Sequence, residues 1–144
     1  MKSLDIKMNE VRERITRLRA LAGRIQSLED FRASRDHRDI TERNLQVAIE
    51  ACLDIGKIII SREKLRLPED NKGIFVVLAE ADILSKESLK ALIPMAGTRN
   101  ILVHGYDKID DEQLYSILRR KLDDFSTFLK EIRDNYLSKQ KRID

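Results

Sequence analysis

The chain has 144 residues, of which 37% are charged and 5% aromatic, with no Trp, five Gly and two Pro. That length makes one domain with a core of ordinary size, and the shortage of aromatic and turn-forming residues excludes little except a sheet-rich fold, so an all-α chain is expected. Net charge is +3, yet residues 11 to 43 alone hold nine arginines against six acids, a local excess able to attract an anionic partner.

Leu4, Met8, Val11, Ile15, Leu18, Ala22 and Ile25 alternate steps of four and three, a heptad seam flanked by charges of both signs, and they predict a first helix. Residues 29 to 40, EDFRASRDHRDI, lose that period and are mostly polar, which predicts a loop or frayed extension, with Asp39 or Thr41 capping the second helix. From Glu42 to about Arg66 the apolar period returns through Leu45, Ala48, Ile49, Cys52, Leu53, Gly56, Ile59 and Ile60, and Pro68 ends this second helix. The stretch KGIFVVLAEADIL at 72 to 84 could be a strand but has no partner strand elsewhere, so a short helix is predicted. Ser85 reads as an N-cap with Glu87 in the first turn of the next helix, which runs toward Gly105 and holds Pro94, where a bend or a late start is expected. Asp110 and Gln113 resemble a capping box for a last helix from Asp111 to about Leu137. The architecture expected is a single domain over residues 1 to 144: a bundle of four main helices plus a short one, with the tail from about 138 to 144 frayed.

Cys52 is the one cysteine, so neither a disulfide framework nor a cysteine metal site can form within one chain, and its apolar setting suits a small core residue. The N-terminus lacks a signal-peptide run, and no segment nears the roughly 18 continuous apolar residues of a membrane span. A soluble protein of the reducing cytoplasm, without metal or cofactor, is the expectation.

Glycine-rich phosphate loops, a GxSxG elbow and paired metal-spaced histidines are all missing from the sequence, which sets aside dinucleotide, acyl-transfer and zinc chemistries. Of the two histidines, His37 lies in the polar segment and reads as a solvated loop residue. His104 immediately precedes Gly105, a residue suited to closing a helix in the left-handed conformation. In GTRNILVHGY, at 97 to 106, Arg99 could hold a phosphate bidentately and His104 could move a proton near neutral pH. Those are minimal parts for cutting RNA without metal, where a 2'-OH attacks its own phosphodiester and the enzyme must take one proton, give one and stabilise charge. One such histidine per chain is too few for separate acid and base, and a two-fold dimer would supply the second. The same residues also fit a plain helix end, with a histidine favoured by the helix dipole beside an exposed arginine, and their spacing leaves both readings open.

The longer context carries a resemblance. RNILVH at 99 to 104 resembles the R-x4-H signature of the HEPN superfamily, and its extension to HGY resembles the R-x4-H-x-Y form of HepT-type toxins. ERNLQVAIEACLDIG at 42 to 56, PMAGTRNILVHGYDKID at 94 to 110 and LYSILRRKLDDFSTFL at 114 to 129 are similar to that family in order and spacing. The resemblance implies an all-α HEPN bundle, a homodimer with the motif near its interface, and a metal-independent endoribonuclease acting on cellular RNA, tRNA or mRNA, as the toxin of a type VII-like toxin-antitoxin pair. It implies Arg99 and His104 as the catalytic pair, Asn100 as a supporting residue, and Tyr106 as the tyrosine that a MntA-like nucleotidyltransferase antitoxin modifies with AMP. Other readings of the resemblance are a non-catalytic HEPN module that binds nucleotide or docks on a nucleotidyltransferase, and a dimeric helical adaptor working through the first helix. The arginine-rich stretch is either a surface for RNA or antitoxin or a solvated helix face with pairs such as Glu10 with Arg14.

Overall fold

The computed structural model describes residues 2–104 and 109–143, and the regular structure among them is helical throughout. Helix α1 (Lys2–Arg24) buries Leu4, Met8, Val11, Ile15 and Leu18, with Ile25 just past its end. Leu21 takes the full burial that the heptad seam assigned to Ala22, which is only partly buried.

The segment from 29 to 40, expected as loop, is instead helix. Ser27 accepts a hydrogen bond from the Asp30 N–H at 3.0 Å and starts α2 (Leu28–Arg32), whose Phe31 is 1% exposed. A single turn with one apolar anchor leaves no period to read. Helix α3 (Arg35–Glu63) then begins seven residues before Glu42, so Asp39 and Thr41 lie inside it and cap nothing; the Thr41 hydroxyl donates to the His37 carbonyl at 2.7 Å. His37 is likewise no solvated loop residue. Its ring stacks on Phe31 with centroids 6.4 Å apart, and Nδ1 lies 3.2 Å from the Asp30 carbonyl and 3.3 Å from that of Phe31, an arrangement in which Nδ1 carries the proton and donates.

Helix α3 is buried over most of its circumference, with α1 along one side. It ends at Lys64, and Asp70 accepts from the Gly73 N–H at 2.8 Å to start α4 (Asn71–Glu80), the helical outcome expected for that apolar run. Ser85 accepts from the Ser88 N–H at 3.1 Å at the head of α5 (Lys86–His104), as its sequence suggests. Pro94 neither delays nor ends α5, although the Lys90 carbonyl thereby loses its helical donor. Asp110 accepts from the Gln113 N–H at 2.8 Å, starting α6 (Asp111–Arg120). The predicted last helix is broken at Lys121, and α7 (Leu122–Ile132) follows, then a π-helical turn at Arg133–Leu137. The break redirects the chain, because α6 packs on α2 and α3 whereas α7 packs on α5. A further short helix, α8 (Ser138–Ile143), covers most of the tail expected to fray. Cys52 is buried, and desolvation pushes its thiol pKa up, consistent with a core residue.

Helices α3 and α4 approach closely at Gly56, where an added Cβ would fall 2.3 Å from Ile74 Cγ2. Ile74 is 2% exposed and β-branched, so it has little room to yield. Gly56→Ala should therefore destabilise by about 1–2 kcal/mol despite its gain in helix propensity. Gly23→Ala, which meets nothing within 4 Å, should instead raise stability by less than about 1 kcal/mol. Urea unfolding midpoints of the two variants check both signs.

Candidate functional site

Arg99 sits in the next-to-last turn of α5 and points toward α3. Its Nη2 donates to Glu50 Oε2 at 3.2 Å and its Nη1 to Asn100 Oδ1 at 3.3 Å, while Nε is buried without an acceptor. Each partner is itself held. Gln46 Nε2 donates to Glu50 Oε1 at 3.3 Å, and Asn71 Nδ2 donates to Asn100 Oδ1 at 3.4 Å. One polar chain thus runs from α3 through α5 to the start of α4, with the guanidinium at its centre. Asn100 links Arg99 to Asn71 within it.

The network borders a polar cavity of about 330 Å³ whose wall includes Lys7, Arg43, Lys57 and Arg99. Glu10, Glu50 and Asp54 line it too. Asp54 lies 3.0 Å from the Lys7 ammonium and raises its pKa by that hydrogen bond, against the opposing effect of burial. Glu50 pairs with Arg99 at 3.2 Å. Arg43 and Lys57 enter no ion pair among the described residues, so the cavity keeps unspent positive charge suited to an oxyanion. A phosphate reaching Arg99 would compete with the Glu50 carboxylate for the same N–H groups.

His104 is exposed and is the last residue of α5. Five positions along a helix correspond to about 140° of rotation and 7.5 Å of rise, so the two side chains flank a surface of α5 more than they share it, and no contact joins them here. Tyr106 lies outside the described residues. The chain beyond it is anchored firmly, since Arg38 donates to the Ile109 carbonyl and to the Asp111 carboxylate and pairs with Glu42 at 2.7 Å. Beside the motif, Ile101 and Val103 are 38% and 40% exposed, apolar side chains left unburied within one protomer. Among the described residues no three His, Cys, Asp or Glu side chains form a group able to hold a metal ion, and no helix is long and apolar enough to cross a membrane.

Glu50 escaped the sequence reading because it looked like any polar position of an amphipathic helix. The available signal was the stripe Gln46, Glu50, Asp54 at steps of four on a helix otherwise apolar nearly all round. The two networks should differ in weight. The Arg99–Glu50 pair has side-chain exposures of 26% and 36%, so Glu50→Ala should lower stability by less than about 1 kcal/mol. Arg38→Ala strands a carbonyl and a carboxylate together and should cost about 1–3 kcal/mol, again read from urea midpoints.

Residues 11–132 match the family described as Ribonuclease HepT-like. The tRNA nuclease HepT of Aphanizomenon flos-aquae is 32% identical over 118 residues, covering 82% of this chain and 80% of that one. The mRNA nuclease HepT of Shewanella oneidensis is 31% identical over 90 residues, covering 62% of this chain and 68% of its own. A solved structure of a tri-AMPylated Shewanella oneidensis HEPN toxin in complex with an MNT antitoxin superposes with a TM-score of 0.83 at 26% identity, covering 92% of this chain and 98% of that one. The matched span and the identity to these relatives agree with the helical fold, and the chain belongs to the HepT-like ribonuclease family.

Proposed function

We propose that this chain is the toxin of a toxin-antitoxin pair, a cytoplasmic endoribonuclease that cuts cellular RNA by 2'-OH transesterification without a metal ion. The observation that carries the reading is the placement of Arg99, a half-buried guanidinium held by Glu50 and Asn100 at the edge of a cationic cavity. The named nuclease activities of the relatives support it.

In this mechanism a base removes the 2'-OH proton, the oxygen attacks the adjacent phosphorus, and the 5'-oxygen leaves with a proton from an acid, yielding a 2',3'-cyclic phosphate. Arg99 neutralises the phosphorane, and His104 serves in proton transfer. Because one α5 turns these side chains apart, the active unit is a two-fold homodimer whose second His104 completes the acid and base. Exposed Ile101 and Val103 supply apolar surface for that contact. Glu50 is a positioning residue that fixes the guanidinium.

The partner is a MntA-like nucleotidyltransferase antitoxin. The Tyr106 phenol attacks the α-phosphorus of ATP, pyrophosphate leaves, and the bound AMP adds a phosphodiester charge that repels RNA from the site. The AMP groups on the Shewanella toxin motivate this step.

Partner-free protein incubated with tRNA in EDTA should release fragments ending in 2',3'-cyclic phosphate. His104→Ala and Arg99→Ala should each lower the rate at least a hundredfold, and Glu50→Ala about tenfold; wild type and His104→Ala behaving alike would refute the assignment. Co-expression with the antitoxin should raise the intact mass in AMP increments. Tyr106→Phe should abolish the increments, and a variant still modified would move the switch to another residue.

A further inference from the structure

A second cavity opens beside the first. It measures about 600 Å³ and lies at the junction of the α3 C-terminus, the 64–70 connection and the start of α4. Lys57 and Asn71 belong to the walls of both cavities, so the two are neighbours along one surface path. Asn71 is also the residue that bonds Asn100, which in turn holds Arg99.

The two halves differ in chemistry. Around Arg99 the surface is polar and charged, whereas the second cavity is floored by buried Ile60 and Ile74 and walled by Leu65, Pro68 and Leu67, the last 82% exposed. Ammonium groups edge it, because Lys57 and Lys64 line it and neither enters an ion pair among the described residues. Two acids share the rim. Asp70 accepts the Gly73 N–H at the start of α4, which fixes its carboxylate there, and Glu69 is the second opposing charge.

Lys64 adds an independent observation. Its backbone is left-handed, with φ 53° and ψ 44°, at the C-cap of α3. Glycine adopts that conformation without strain, and a lysine does not. Lys64 thus lines the cavity at a position where glycine would relax the backbone.

We infer that this cavity is a nucleobase subsite for the RNA strand next to the scissile phosphate, with Ile60, Leu67 and Ile74 against the base and Lys57 and Lys64 on the flanking phosphates. Apolar side chains sandwich bases in proteins that extract them from a stack, and the volume falls in the range of small-ligand pockets. A strand whose phosphate lies at Arg99 reaches the cavity past Asn71 and Lys57, so the polar and apolar halves match the alternation of phosphate and base. Asn71, with its side-chain oxygen unused by Asn100, is placed to accept from a base edge. The subsite rests on the reading of Arg99 as the phosphate site.

The test measures binding separately from cleavage. The probe is a fluorescein-labelled 2'-O-methyl oligonucleotide, which cannot be cut, followed by anisotropy with the full-length wild-type chain and with Lys64→Gly and Leu67→Ser. Lys64→Gly relaxes the backbone and Leu67 is on the surface, so neither change threatens folding. Each should weaken binding about fivefold to tenfold, and Lys64→Gly should make the log–log salt slope shallower by about 0.7. An abasic oligomer of equal length should bind wild type and Leu67→Ser alike. The same variants should raise KM for tRNA by a similar factor. Unchanged affinity in both variants would overturn the subsite while leaving cleavage at Arg99 intact. A protein that binds through these residues yet cuts no RNA would instead overturn the catalytic reading.

Discussion

Helix α3 constrains everything around it. Its residues from Thr41 to Ile60 are buried against α1, α4 and α5 on most of its circumference, so the few polar side chains it carries decide where charge can exist inside the bundle. Gln46, Glu50 and Asp54 form a polar stripe along it, and both Arg99 and Lys7 have settled on that stripe. At Gly56, near its C-terminal end, the missing side chain lets α4 come close enough for Asn71 to reach α5. Core packing and site geometry are therefore set by the same helix.

That arrangement gives an ion pair of modest strength a place in the proposed chemistry. A half-exposed arginine–carboxylate pair adds little to folding, but it removes rotamers from a long side chain and leaves the charged group preorganised at a cavity edge. The buried Nε marks how closely the rest of the side chain is packed. Only the outer N–H groups can exchange a carboxylate for a phosphate.

Much of the fold was legible because local signals and packing agree. The caps at Ser85 and Asp110 were visible as short side-chain acceptors three residues before their N–H donors, and the first helix was visible as a seam. The α2 turn was hidden since one residue, Phe31, anchors it, and tertiary burial of a single ring leaves no periodicity. The break at Lys121 was hidden for a different reason: Leu118 and Leu122 keep the helical step across it, and only the change of neighbours from α3 to α5 reveals a new direction. At the site, Arg99 and Asn100 could be read from the motif, whereas Glu50, Gln46 and Asn71 come from other helices and are joined to it only by folding.

The rotation between Arg99 and His104 has a consequence for how such an enzyme can be controlled. When one α5 points its arginine inward and its histidine outward, phosphate binding is a property of one protomer and proton transfer, under the proposed assembly, is shared between two. RNA can then be held without being cut unless the second histidine is in place. Under that assembly, a bulky charged group appended beyond His104 would act on the shared part of the site, where two helix ends would meet, and would leave the Glu50-held guanidinium untouched. Inactivation under this logic demands no unfolding and no break in the α3 network, and removal of the group would restore a site that had kept its geometry throughout.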